Sequence, residues 1–524
     1  MQKLSTENKV NSLALGITKY QLFCVLAASL PSISYGWNLV VTNLPGDIII
    51  KCLAGQKHNI NGLPSCIPST DTVWGAAVGS YALGALIGAI SCTWFSNRYG
   101  RRFVLIYSNF IGIAATVLMA LPVNIAMVVV GRVIAGIAQG AANGTFSSYT
   151  VEIASPRARN SLACMTQMAV SIGIMLALVV SLGMLKPPLW RVLFSLTSFF
   201  CLLSVILLHF CVESPKWLAM QSKSDKAQIA LQRLRQGADV TDEFKQVIEA
   251  TQRGTGLDAN YTASVADVVL GKTPENLRHQ LLVAVMIMFF QQASGISAVS
   301  FYSTTLFNTI STPTGKVDVS KPTFSQILSA VLILVATVVN IIAVVVANYL
   351  GRRTLMLTSH ALMAIFSVFI SVGSVLSIPS LAITGVFLYF SVFFFGPGPL
   401  PWVVPNEMTP TYAISAVMAL NNSVGYLGIF VVGLIFSPIV SVMHGYTFLL
   451  FAGLNALAFV FFFFFLPETK DRLVTDMVKT HSVGIHSVLH PKYKVKAYVN
   501  RNNSQTSSTA LECESADNFD LAKC

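Results

Sequence analysis

The sequence predicts an all-α membrane protein of twelve transmembrane helices, arranged as two six-helix halves with a cytoplasmic helical loop between them. Three observations carry that expectation. Of 524 residues, 54% are hydrophobic and 11% charged, and the mean hydropathy is +0.66, whereas an ordinary soluble domain is about one quarter charged. Apolar runs of roughly 20 residues, enough to cross the hydrocarbon core, recur about twelve times. Short motifs also return at nearly one spacing: "NRYGRR" at 97–102 as "NYLGRR" at 348–353, "EIASP" from Glu152 as "EMTP" from Glu407, and "ESPK" from Glu213 as "PETK" around Glu468. Such a repeat is the mark of duplication, with the halves related by an axis along the membrane normal.

The spans fall near 20–43, 73–95, 103–122, 124–146, 162–184 and 190–211, then 280–307, 323–349, 354–377, 380–405, 413–438 and 445–466. They are helices, because a lipid-exposed chain satisfies its backbone internally and the runs are too long for barrel strands. The first contains Pro31 and Gly36, is too long for a signal-peptide core and lacks a small-residue cleavage pattern, so it is expected in the mature protein. The organisation that follows is an N-terminus at 1–19, bundles at 20–212 and 280–466, a linker at 213–279 with amphipathic stretches ("AQIALQRLR", "DEFKQVIEA") and a polar tail at 467–524, expected to be disordered.

The net charge of +12 does not point to nucleic acid, because the basic residues sit in short connections rather than on one patch. Arg98, Arg101 and Arg102 follow the second span, Arg157 and Arg159 the fourth, and Arg352 and Arg353 the eighth, which predicts these loops and both termini to be cytoplasmic. Cys52 and Cys66 alone of nine cysteines lie in an outer loop, where they form a disulfide or stay two free thiols. No cysteine or histidine spacing suggests a metal, no "GxxxxGK[ST]" loop suggests ATP, and His209, His360 and His444 have no nucleophile at a recognisable spacing. No cofactor and no enzymatic activity are expected.

"MFFQQASGISAVSFY", 288–302, places two glutamines inside an apolar span. An unpaired amide in hydrocarbon costs roughly 2 to 7 kcal/mol, so Gln291 and Gln292 face protein, water or a ligand. At about 100° per residue, Gln291, Ser294, Gly295, Ala298 and Tyr302 form one polar or small stripe, which reads as a cavity wall. Ser297 would point about 140° away from Gln292 on a regular helix, so a break is expected near Gly295. The alternative, amides that only bridge neighbouring helices, stays open at this point. Gln167, Asn340 and Asn38 lie at similar depth, and neutral amides both donate and accept, as a hydroxyl does. "GPGPLPW" must interrupt the tenth span and so predicts a hinge ahead of Trp402.

Taken in order, "NRYGRR", "GRVIAG" (131–136), "ESPKW" (213–217), "QQASGISA" (291–298), "GPGPLPW" (396–402) and "LPETK" (466–470) resemble the motifs of the sugar porters of the major facilitator superfamily, and among them the facilitative glucose transporters. The resemblance covers about Tyr20 to Asp471 and implies the major facilitator fold. It further implies a plasma-membrane uniporter of hexoses, D-glucose foremost, that alternates access to a sugar site between its halves. It puts Gln167, Gln291, Gln292 and Asn340 where the family's hexose-binding amides lie, Ser297 where an Asn is usual, and Trp402 over the sugar. By the resemblance Asn38 stands where proton-coupled relatives carry Asp, and no acid lies at mid-depth elsewhere, which argues for passive transport. A proton-coupled sugar symporter and a non-transporting sugar receptor are the competing readings.

Arg98, Arg101, Glu152, Arg159, Arg352, Arg353 and Glu407 gather at the cytoplasmic ends, where charges from opposite halves are expected to latch the inside shut. Four places depart from the family pattern: "MFF" (288–290) for a Gln-Leu-Ser triplet, Phe394 for a sugar-contacting Glu, Gly425 and Tyr426 for an Asn-Trp pair, and Ile414 for an Arg beside Glu407.

Overall fold

The computed structural model describes residues 17–50, 52, 59–60, 63–155, 158, 162, 165–184, 189–236, 239–253, 263–273, 277–311, 324–346, 350–410 and 412–470. Arg159 and the tail beyond 470 lie outside them. Six membrane helices precede the linker: Lys19–Val40, Asp71–Tyr99, Arg101–Ala120, Ile125–Ile153, Met165–Gly183 and Leu189–Leu208. Six crossings follow it: a broken seventh, then Phe324–Val346, Arg352–Val375, a broken tenth at Pro379–Phe395 and Leu400–Met408, Ile414–Met443 and Thr447–Phe465. Among the described residues, eleven helical segments are long and apolar enough to cross a membrane, the tenth span counted as one. The seventh span escapes that criterion because its break leaves two pieces of 16 residues each, Arg278–Ala293 and Ile296–Ser311.

Local chemistry starts these helices where the sequence changes character. Thr18, Thr70 and Asn124 each cap a span, the side chain accepting from a backbone N–H that the helix itself leaves orphaned. The second and fourth spans then pack backbone against backbone. A Cβ built on Gly84 would sit 2.1 Å from the Val133 carbonyl oxygen, and one on Gly136 2.1 Å from that of Tyr81. Small residues permit this approach, which replaces the hydrophobic drive that lipid cannot supply.

The two sets of six meet along a few seams: the second span against the eleventh, the fifth against the eighth, and the first against the C-terminal piece of the seventh. In the linker, Pro215–Met220, Ser224–Leu234, Thr241–Arg253 and Val265–Leu270 are helical, as the amphipathic periods predict. Arg235 fastens this layer to the first set: it pairs with Glu243 at 2.5 Å and donates to the Ile153 and Ala154 carbonyls and to Gln21 Oε1. On the opposite face of the bundle Cys52 and Cys66 form a disulfide, and Arg191 and Trp190 donate to the Pro64 and Ser65 carbonyls beside it.

Candidate functional site: a cavity between the halves

The seventh span breaks at Gly295, whose φ is +89°, a region that a residue with a Cβ enters only under strain. The chain re-enters the helix rotated, and Ser297 returns over Gln292, donating to its Oε1 at 2.7 Å. The rotation also corrects the predicted stripe. Beyond the break the cavity is faced by Ile296, Ser297 and Ser300, while Ala298 is buried at 0% exposure and Ser294 turns its hydroxyl to the Gln291 carbonyl.

Pro397, Pro399 and Pro401 interrupt the tenth span because a prolyl nitrogen has no hydrogen to donate, which frees carbonyls in the turn. Gln291 takes up two of them: its Nε2 donates to Pro397 O at 2.7 Å and to Gly398 O at 3.2 Å. Gln292 Nε2 donates in turn to Gln291 Oε1 at 3.2 Å. Gln291 therefore does bridge two spans, and it does so with an opening beside it.

That opening is a cavity of about 870 Å³, its mouth and the adjoining open space included. Gln291, Gln292, Ser297 and Trp402 face it from the second half, and Gln167, Ser171, Asn143 and Tyr35 from the first. Phe390, Phe393, Phe394 and Met288 supply an apolar wall, and none of its lining residues is charged. Hydrogen bonds cross it between the halves. Trp402 Nε1 donates to Gln167 Oε1 at 3.2 Å, and Asn143 Nδ2 donates to Tyr426 Oη at 3.2 Å. Just past the C-terminal end of the first span, Asn43 Nδ2 donates to Ser300 O at 3.0 Å and Ser303 Oγ at 3.1 Å.

Two predicted amides lie elsewhere. Asn340 is fully buried off the cavity wall, donating to Ser171 Oγ at 2.8 Å across the seam of the fifth and eighth spans. Asn38 sits inside the first half, where its Nδ2 reaches Ser34 O at 2.9 Å, Thr197 Oγ1 at 3.1 Å and Gln139 Oε1 at 3.3 Å. Beside it is a residue that sequence reasoning passed over, Arg132 of "GRVIAG". Its Nη2 donates to Val78 O at 3.1 Å and Asn38 O at 3.3 Å, its guanidinium lies 5.1 Å from the Tyr81 ring centre, and among the described residues no acid pairs with it. Asn143, not singled out in the sequence, carried a usable signal, since a polar side chain within a span is rarely idle. Tyr35 and Ser171 gave no comparable sign.

The charges that the sequence gathers at the ends of the spans form two matching corners. Arg101 Nε meets Glu152 Oε2 at 2.9 Å, and Ser214 Oγ donates to the same carboxylate at 2.6 Å. Arg352 Nη2 meets Glu407 Oε1 at 2.9 Å, and Thr469 Oγ1 donates to Glu407. Each pair lies within one half, because the motif that supplies the Arg and the motif that supplies the Glu were duplicated together. Glu213 accepts from the Arg101 and Arg102 backbone nitrogens and so caps the third span, as Glu468 caps the ninth through Arg352 N. Burial pushes the Glu213 carboxyl up from its ordinary value, against those N–H groups and Arg101. Arg98 lies 5.7 Å from the Trp94 and Tyr99 ring centres, and Arg353 donates to Phe463 O at 2.7 Å.

Comparison with known proteins places this geometry. The family described as "Sugar (and other) transporter" matches residues 23–479. The chain belongs to this family, the sugar porters of the major facilitator superfamily. The mouse facilitated glucose transporter member 3 is 29% identical over 483 residues, covering 90% of this chain and 94% of that one. The human member 4 is 30% identical over 476 residues, covering 87% and 89%. Among solved structures, the proton:xylose symporter XylE bound to 6-bromo-6-deoxy-D-glucose aligns with a TM-score of 0.72 at 21% identity, over 87% of this chain and 98% of that one. A partially occluded inward-open form of XylE from E. coli aligns at 0.70 and 21%, over 87% and 100%. Likeness at that identity speaks for the major facilitator fold alone. This sugar transporter is thus a multi-pass membrane protein and not an enzyme.

Proposed function

We propose that the transporter is a passive hexose uniporter of the plasma membrane, carrying D-glucose foremost, and that Gln167, Gln291, Gln292, Ser297 and Trp402 bind the sugar between bundles 20–212 and 280–466, with both termini cytoplasmic. Asn340 acts indirectly in this reading, by holding the Ser171 wall in place. The observation that carries the proposal is the uncharged, amide-bearing cavity whose hydrogen bonds tie one half to the other. A polyol exchanges hydroxyl bonds with water for bonds with amides at little net cost, whereas an ion would enter this wall without a counter-charge. Breaking the Trp402–Gln167 bond on one side, or the Asn43 bonds on the other, opens the cavity to opposite faces, as alternating access requires.

Passivity is supported by the neighbourhood of Arg132. Among the described residues its polar neighbours are the amide Asn38 and the phenol Tyr81, neither of which takes up and releases a proton as a carboxyl would during the cycle. The paired corners at Arg101–Glu152 and Arg352–Glu407 act as rigid feet, each holding its own half as a body. The test is uptake of radiolabelled glucose into proteoliposomes with an imposed proton gradient. Equilibration without accumulation, unchanged by a protonophore, is expected. Accumulation that collapses on adding the protonophore would establish a symporter, and glucose binding without uptake would establish a receptor.

A further inference from the structure

Away from the cavity, two thiols from distant parts of the chain meet on the face that carries the linker helices. The sulfur of Cys24, in the first span, lies within hydrogen-bond reach of the Cys211 thiol and of the Val212 N–H. Both cysteines are free, and they are buried at 0% and 3% exposure. Two tyrosines hold the chain on either side of Cys211: Tyr20 Oη donates to Phe210 O at 2.8 Å and Tyr149 Oη to Val212 O at 2.7 Å. The sixth span ends at Leu208 and the next helix starts at Pro215, so Cys211 sits in a turn, and its neighbour Phe210 is 67% exposed. Among the described residues no cluster of three or more His, Cys, Asp or Glu could hold a metal, which leaves the pair to thiol chemistry. On the opposite face Cys52 and Cys66 are already joined; here the two sulfurs touch and stay reduced.

We propose that Cys24 and Cys211 are a site of oxidative modification, a dithiol that a peroxide converts into a disulfide fastening the first span to the entry of the linker. Cys211, in the turn, is oxidised first: its sulfur takes one oxygen from the peroxide, the O–O bond breaks, and one water leaves. Cys24 then attacks the sulfenic sulfur, the S–S bond forms, and a second water leaves. Two electrons pass from the sulfurs to the peroxide, and both thiol hydrogens end in water. The bond joins two places where the linker is held to the first half. Cys24 lies one turn past Gln21, which accepts from Arg235, and Thr18 nearby donates to Leu234 O at 2.5 Å. Cys211 stands two residues before Glu213, which accepts from the Arg101 and Arg102 backbone nitrogens. This inference is independent of which substrate the cavity carries.

The experiment treats the full chain in proteoliposomes with hydrogen peroxide, alkylates the remaining thiols and maps the digested peptides by mass spectrometry. A cross-linked peptide carrying Cys24 and Cys211, lighter by two hydrogens than its two halves, is expected. In Cys24→Ser the second step is lost, so Cys211 should stay a sulfenic acid and be captured by dimedone, whereas the wild-type chain gives little capture. Capture at Cys211 as full in the wild type as in the variant would overturn the proposal, and so would two thiols that both remain open to alkylation after treatment. Should the variant fail to fold, the wild-type peptide map decides alone. Fastening has its own readout: peroxide should raise the Tm of the wild-type chain by about 3 °C or more and leave that of Cys24→Ser unmoved. A cross-linked peptide with no change in Tm would overturn the fastening role.

Discussion

Asn38 and Gln139 in the first half spend their hydrogen bonds on Ser34, Thr197 and Tyr81, all within their own six helices, whereas Gln291 and Gln292 in the second half reach only as far as a broken neighbour and leave hydrogens facing a cavity. The amide chemistry is the same in both places. What differs is the backbone around it: the first, fourth and sixth spans run helical past Asn38, Gln139 and Thr197, while the seventh and tenth are interrupted beside Gln291. A continuous helix already pairs its carbonyls within its own ladder and closes on its polar residues as interhelical glue, and an interrupted one opens a space that other molecules can enter.

The sharpest way to break this comparison is Gln139→Leu. It leaves Tyr81 Oη only the longer bond to Tyr35 O and Ser34 Oγ only the contact with Cys201 Sγ, removes one partner of Asn38, and should cost about 1 to 3 kcal/mol of stability while leaving the sugar concentration for half-maximal uptake unchanged. Thermal unfolding in detergent together with uptake kinetics checks both parts, and a variant that keeps its Tm but loses affinity would put the first-half knot in the site. Gln291→Ala comes next. It exposes two buried carbonyls and one N–H, so about 1 to 3 kcal/mol of stability should go together with about five-fold in sugar affinity, since this residue serves the fold and the cavity at once. Gln292→Leu should separate the two: roughly ten-fold weaker half-saturation, near 1.4 kcal/mol, with Tm held within about 2 °C. A fall in Tm without a change in affinity would return Gln292 to the status of glue.

The smallest expected effect belongs to Trp402→Phe, which deletes one cross-half hydrogen bond worth about 1 kcal/mol and keeps the aromatic bulk. Stopped-flow efflux from loaded proteoliposomes should then quicken up to about five-fold, because the closed cavity loses part of what holds it. Unaltered efflux would remove that bond from the opening step.

Particular residues show how far the sequence could be read. The break at Gly295 was legible because glycine among polar residues at mid-span marks a backbone position that a Cβ would strain. The Arg–Glu corners were legible as clusters but not as pairs: the repeat placed four charges at one membrane face, and only packing told whether Arg101 meets Glu152 or Glu407. Asn340 shows the commonest failure. Its depth was right and its facing wrong, because a helix period gives a direction relative to the helix's own axis and is silent on which neighbour stands there. Here that neighbour is Ser171, and the amide closes a seam.

From its sequence alone this protein's membrane class, its twelve crossings, its duplicated halves and the positions of its two broken spans were determined, because hydropathy, proline and glycine act on the chain locally, within a turn or two of where they stand. Which polar groups are consumed by the protein and which remain for a ligand was decided only in the tertiary structure. A hydrogen bond needs two partners within about 3 Å, and for Gln291 and Gly398, or Trp402 and Gln167, those partners come from distant parts of the chain that meet only when the spans pack.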